Sequence, residues 1–397
     1  MAFEKTFIPY RGYYSSPFCR WQGSLAGAHS IELAARVASK ALAARKIDPR
    51  SLDAVVLGVT IPQHKSFYGA PWLAAMIGAE GIGGPTVSQA CATSARALAT
   101  AAAEVELGQR ACVLAIGCDR TSNGPHVYFP DPAGPGGRGR SEDPVLDNFE
   151  RDPWAKLQMV ETAENVAREH GISRGEQDEM TALRYAQYAR GLEDGRAFQR
   201  RYMEAVELPR GKKEPLVVET DEGIHPTTAE SLAKLRPVVD GGTVTFGAKT
   251  HPADGNAAVI VCSADSARRL SADPKITVRL VAYGDARVKK GFMPTAPVPA
   301  ARAALERAGI GIDACKVITT HNPFAVNDVY FCREMKVPAE RMNPYGSPLV
   351  YGHPQAPTGL RAIIELVEAL VLAGGGYGLF TGCAAGDTAT SVVVRVD

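Results

Sequence analysis

A cysteine placed between an apolar strand pattern and a small-residue helix pattern is a candidate nucleophile. Cys91 sits there, in Val87-Ser88-Gln89-Ala90-Cys91-Ala92-Thr93-Ser94. At such a turn the unpaired amides and the positive end of the helix dipole favour a thiolate and lower its pKa. The flanking alanines and serine leave room for a substrate. From position alone the alternative is a small buried cysteine, the commoner state of a free thiol. Cys383 follows the strand-like Tyr377-Gly378-Leu379-Phe380-Thr381 in a Gly/Ala-rich turn, where a core cysteine at a strand end is the other reading. His353 lies in a turn marked by Gly352 and Pro354, and His321 ends the strand-like Val317-Ile318-Thr319-Thr320. An imidazole can take a thiol proton at neutral pH, which is why cysteine with histidine recurs in acyl transfer.

The elements that must position these groups follow from periodicity. Ile31-Glu32-Leu33-Ala34-Ala35-Arg36-Val37-Ala38 opens a helix with Ser30 as its N-cap. Asp53 to Gly58, Pro85 to Ala90 and Cys112 to Gly117 read as short strands, with a helix from about Thr93 to Leu107 between the last two. Strand, helix, strand in that order implies parallel pairing with crossovers. Asp131 to Gly137 is a Gly/Pro loop, and Ser173 to Arg190 is a charged helix capped by Ser173. Gly241 to Gly247 and Ala257 to Cys262 return to strand-like patterns. Gly374-Gly375-Gly376, just after Leu372-Ala373, is a helix C-terminal turn and not a nucleotide loop.

The last third repeats the first. Asp48 and Asp313 stand at the same separation as Thr93 and Thr358, Arg96-Ala97 and Arg361-Ala362, Leu107 and Leu372, and Gly117-Cys118 and Gly382-Cys383. One ungapped offset over such a stretch implies two similar α/β halves with a site where they meet.

The 397 residues allow two domains or one large duplicated unit. The balance of 44 basic and 43 acidic residues excludes a dedicated nucleic-acid surface. No apolar run is long enough to span a membrane, and the start has no signal-peptide pattern, so a cytoplasmic location is expected. Eight cysteines are too few for a disulfide scaffold, and none has zinc spacing, so no metal is expected.

Five segments, in order, resemble the thiolase family along nearly the whole chain. They are the Cys91 segment; Met159-Val160-Glu161-Thr162-Ala163-Glu164; Gly242-Thr243-Val244-Thr245 with Asp254-Gly255-Asn256-Ala257-Ala258; Gly352-His353-Pro354; and Gly382-Cys383. The resemblance implies a duplicated thiolase fold, a five-layered αβαβα arrangement with an inserted loop domain. The expected boundaries are 1–120 with 243–270 for the first half, 121–242 for the insertion, and 271–397 for the second half. It also implies an acyl-CoA C-acyltransferase that cleaves 3-oxoacyl-CoA with coenzyme A, or runs the reverse condensation, through a Cys91 acyl-enzyme.

Residue by residue, the resemblance makes His353 the base and Cys383 the group that moves a proton at the α-carbon of the acyl-CoA. The backbone amides of Cys91 and Ala385 become the oxyanion donors, Met159 lines the acyl pocket, and Thr250 touches the pantetheine arm. The family's Cys-x-Gly is Cys383-Ala384-Ala385-Gly386 here. An amide donor survives that change, although the loop path need not. His321, in Thr320-His321-Asn322-Pro323-Phe324, stands where most thiolases carry asparagine, and this pattern is similar to the sterol-carrier-type branch.

Coenzyme A is then a co-substrate and no cofactor is permanently bound. A homodimer or dimer of dimers is expected, with a small OB-fold, zinc-containing protein as a further partner. Arg210-Gly211-Lys212-Lys213 could meet coenzyme A phosphates, or form a solvated face. Phe7 to Tyr14, Trp72 and Trp154 suggest a bulky or aromatic acyl group, such as that of benzoylsuccinyl-CoA. The alternative chemistry is a decarboxylating ketoacyl synthase, which uses Cys with two His and needs no second cysteine.

Overall fold

The computed structural model describes every residue of the chain except Pro226. The chain runs first through β1 (Phe7–Ile8), β2 (Tyr13–Ser15), β3 (Cys19–Arg20), α1 (Ser30–Ala44), β4 (Ala54–Gly58), α2 (Gly69–Met76), β5 (Thr86–Val87), α3 (Thr93–Glu106) and β6 (Cys112–Arg120). The middle holds β7 (Val127–Phe129), β8 (Arg140–Glu142), α4 (Leu146–Glu150), α5 (Met159–Glu169), α6 (Arg174–Gly191), α7 (Glu193–Arg196), β9 (Val206–Arg210), β10 (Lys213–Val218) and α8 (Ala229–Ala233). Then come β11 (Ala253–Cys262), α9 (Ala264–Leu270), β12 (Val278–Arg287), α10 (Pro297–Ala308), β13 (Cys315–His321), α11 (Ala325–Met335), α12 (Pro348–Tyr351), α13 (Thr358–Leu372), β14 (Gly376–Ala384) and β15 (Thr388–Val396).

The duplication read from the sequence is visible in the pairing. The main sheet runs β13-β14-β15-β12-β1-β11-β6-β4-β5. On one side β4 and β6 are parallel and β6 and β11 antiparallel; on the other β13 and β14 are parallel and β14 and β15 antiparallel. The antiparallel pair β1–β12 joins the two sides. Helices α3 and α13 pack on each other and between the two sides, α1 and α2 cover one outer face, and α10 covers the other. The result is five layers. α13 is buried almost throughout, as a helix sandwiched between sheets must be.

Several local expectations are corrected. The N-cap of α1 is His29, whose ring accepts from the Glu32 amide, and Ser30 is already helical. The expected 85–90 strand shrinks to Thr86–Val87, because Ala90 adopts a left-handed φ of 45° that ends the extended run. Residues 241–247 make no strand, only a bridge between Pro237 and Thr245. The carboxylate of Glu164 collects the Thr243 and Val244 amides that a ladder would have used, at 2.7–2.9 Å. Ser173 caps α6 as expected, in a reciprocal box with Glu176.

A buried ionic cluster fastens the middle region to α13. Arg361 grips Asp221 through two bonds of 2.6 and 2.7 Å and reaches Glu365 at 3.0 Å. Tyr188 donates to Asp221, and Tyr202 and Tyr351 donate to Glu365. Breaking a buried pair by deleting one partner strands the other charge. Arg361→Met should therefore lower unfolding stability by about 3–5 kcal/mol, read in urea as a lower midpoint at unchanged slope. A midpoint like that of the unchanged protein would show that the cluster holds nothing.

Candidate active site

The nucleophile turn is built by Thr93. Its hydroxyl accepts from the Gln89 amide and donates to the Ala90 carbonyl, both at 2.7 Å, which closes the bend between β5 and α3. Ala90 pays with a left-handed backbone, a strain of about 1–3 kcal/mol that concentrates at functional turns. Cys91 is only 7% exposed. Burial pushes its thiol up to about 11, against the opposing pull of the Ala385 and Cys91 amides. This corrects the expectation of a lowered pKa: in a dry enclosure the cost of a bare thiolate outweighs the start of a helix. The thiol donates to Gln355 Oε1 at 3.3 Å.

His353 arrives on the loop before α13. Its amide donates to the His251 carbonyl at 2.9 Å. Gly352 turns at φ 91°, where an added Cβ would lie 2.6 Å from the His251 ring. Nδ1 meets Thr358 Oγ1 at 2.7 Å, while Nε2 is buried without a hydrogen-bond partner among the described residues. His321 ends β13 and is flanked by tethered neighbours. Thr320 and Asn322 both donate to Asp328, which also pairs with Arg184 at 2.8 Å. Both ring nitrogens of His321 lack partners among the described residues. Its ring and that of His353 lie 4.1 Å apart between centroids. Burial lowers His321 to about 3, and burial with His321 beside it takes His353 well below the usual imidazole range. The ligating atoms of Cys91, His321 and His353 all lie within 4.8 Å of one another.

Cys383 is fully buried, and its sulfur accepts from Asn327 Nδ2 at 3.2 Å. Burial raises this thiol, and the neighbouring Cys91 raises it further. In front lies a cavity of about 340 Å³ lined by Cys91, His353, Gln355, Ala385, Met159 and Thr250 among others. Cys383 and His321 are not among the residues that line it. The Thr250 hydroxyl is already committed to the Pro348 carbonyl at 2.6 Å.

Gln355 and Asn327 escaped the sequence reading. Gln355 follows His353-Pro354 directly, so proximity in sequence was its one signal; Asn327 offered none. The aromatic opening is a correction. Tyr10 and Tyr13 donate to Glu368 on α13, Trp72 packs edge-on to His29, and Trp154 is 63% exposed, so none lines the cavity. Arg210-Gly211-Lys212-Lys213 forms the exposed turn of the β9–β10 hairpin and does not line it either.

With this geometry, residues 12–265 match the family model for the thiolase N-terminal domain and residues 274–396 that for the thiolase C-terminal domain. The chain is 30% identical to an acetyl-CoA acetyltransferase of Pseudomonas aeruginosa, over 95% of this chain and 96% of that protein. It is 32% identical to a beta-ketoadipyl-CoA thiolase of Pseudomonas knackmussii, over 93% and 94%. The crystal structure of human mitochondrial 3-ketoacyl-CoA thiolase superposes with a TM-score of 0.91 at 26% identity, covering 99% of each chain. The chain belongs to the thiolase family. By class it is an acyltransferase.

A thiol pushed up to about 11 gains thiolate about tenfold for each unit by which the pH rises toward that value. Iodoacetamide alkylation of Cys91 in the free protein, followed by peptide mass, should climb steadily from neutral pH to about pH 10. A plateau already reached near pH 7 would instead reveal a resting thiolate–imidazolium pair.

Proposed function

We propose that Cys91 carries the acyl group and that the surrounding residues act as follows. The Cys91 proton passes to His353 Nε2, which has no competing partner. The resulting thiolate and imidazolium attract each other in a dry site, which offsets part of the cost of charging each. The sulfur attacks the 3-oxo carbon of a 3-oxoacyl-CoA, while the amides of Cys91 and Ala385 receive the developing oxyanion. The bond between carbons 2 and 3 then breaks, its electron pair moving onto carbon 2. Cys383 protonates that carbon, and His321 faces the thioester oxygen that shares its charge. The coenzyme A thiol then gives its proton to the Cys383 thiolate and attacks the acyl-enzyme; the acyl group leaves as a shortened acyl-CoA, and the His353 imidazolium returns its proton to the Cys91 sulfur. Condensation is the reverse.

One observation supports this reading: residues distant in sequence place a thiol and two imidazoles, each with a ring nitrogen free among the described residues, within 4.8 Å of one another, beside a mainly apolar cavity. The buried Cys383 favours thiolysis over decarboxylating condensation, which has no use for a second thiol. We further propose that coenzyme A is a co-substrate with no resident cofactor, and that residues 121–242 shape the acyl and coenzyme A pocket. In the same reading the chain works in the cytoplasm as a homodimer or dimer of dimers, with or without a small OB-fold, zinc-containing partner. Among the described residues no helix is long and apolar enough to cross a membrane.

Incubation with a panel of 3-oxoacyl-CoA and acyl-CoA thioesters, with and without candidate partners, should leave an acyl mass on Cys91. Cys91→Ala should abolish that mass and all turnover with folding intact. Cys383→Ala should keep the alkylation of Cys91 yet slow carbon–carbon cleavage by about 10²–10⁴-fold, the worth of one positioned acid or base. Release of CO₂ from a malonyl thioester at a rate matching product formation would replace this reading with the decarboxylating one.

A further inference from the structure

We propose that Cys91, His321 and His353 also form a binding site for a thiophilic divalent cation, zinc foremost, and that its occupation switches the acyl-transfer centre off. No spacing in the sequence announces this set, because its members come from the turn before α3, the end of β13 and the loop before α13. Folding brings one sulfur and two imidazoles within 4.8 Å of one another, all buried. Zinc held at about 2.3 Å from sulfur and about 2.0 Å from nitrogen needs donors about 3.3–3.6 Å apart, so modest side-chain rotation closes the set.

The donors are poised for it. Nδ1 of His353 is engaged with Thr358 at 2.7 Å, leaving Nε2 as the free ligand atom, and both nitrogens of His321 are unpartnered. The single exchange is at Cys91: its S–H bond breaks, a sulfur–metal bond forms, and the proton goes to solvent. No oxidant is required. Gln355 Oε1, 3.3 Å from the sulfur, or a water completes a tetrahedron. The metal then holds the electron pairs that attack and proton transfer require. Binding rests on these distances alone, whereas the inhibition rests on the acyl-transfer reading.

The test is anaerobic titration of the reduced full chain with Co²⁺. A thiolate-to-cobalt charge-transfer band and intense visible bands of tetrahedral cobalt should appear, and stoichiometric Zn²⁺ should remove them. Zinc should also protect Cys91 from iodoacetamide until a chelator is added. Cys91→Ser should lose the charge-transfer band. Thr358→Val, which keeps the shape and touches no metal, should weaken binding about 10–100-fold by freeing the His353 ring, and it carries the test if Cys91→Ser fails to fold. Absence of the band, or a band that survives in Cys91→Ser, overturns the site. Full turnover by zinc-loaded protein overturns the inhibition. If the band appears while the metal-free protein transfers no acyl group from any thioester, the site stands and the acyl-transfer reading fails.

Discussion

The arrangement of the site depends on how closely the two central helices meet at their first turns. Ser94 Oγ accepts from the Leu360 amide at 2.9 Å, and a Cβ on Gly359 would lie 2.9 Å from that same oxygen. α3 presents mostly alanine along its buried faces, which lets α13 come near. Cys91 lies just before α3 and His353 just before α13, so locking the helix starts together sets thiol and imidazole in one place. Gly117 extends the constraint, since a side chain there would press within 3.0 Å of the Ala356 and Pro357 backbone that follows Gln355. Close-packed interiors transmit such constraints with little slack.

Polar groups near this contact fall into two kinds. Asp119, at the end of β6, accepts from the Thr60 amide and hydroxyl, the Ile61 amide and the Ala356 amide, tying the two halves together; burial still pushes its carboxyl up to about 7. Asp328 is similarly saturated by Thr320, Asn322 and Arg184. These groups hold loops still. His321, His353 Nε2 and Asn327 Oδ1 are buried without partners, a condition native proteins rarely tolerate. Asp119 and Asp328 thus position the loops, whereas the free atoms of His321, His353 and Asn327 stand beside the two thiols.

The dry surroundings also explain why a reactive group can rest without reacting. Cys91 holds its proton and donates to Gln355, and burial disfavours the charged form of both imidazoles, so these three side chains carry no charge of their own. Charge separation then becomes worthwhile when a thioester carbonyl arrives and amides stand ready to receive it. The same dryness makes each interaction with developing charge stronger than it would be in water.

By itself the sequence determined the elements and the chemistry on offer. The apolar periodicities placed α3, α6, β4, β6, β11 and β14, the recurring separation from Asp48 to Cys118 exposed the duplication, and five ordered segments singled out Cys91, His353 and Cys383. These signals lie in the linear order and spacing of residues, within one segment or between several. Only the tertiary structure decided what depends on long-range packing. It withdrew the expected strand at 241–247 because Glu164, far off in sequence, took its amides. It turned Tyr10 and Tyr13 from a substrate surface into anchors on α13, and Tyr14 into one on α1. It brought Gln355 and Asn327 beside the two thiols, and it set the proton on Cys91, because burial is a property of the folded whole and no sequence pattern encodes the dielectric around a sulfur.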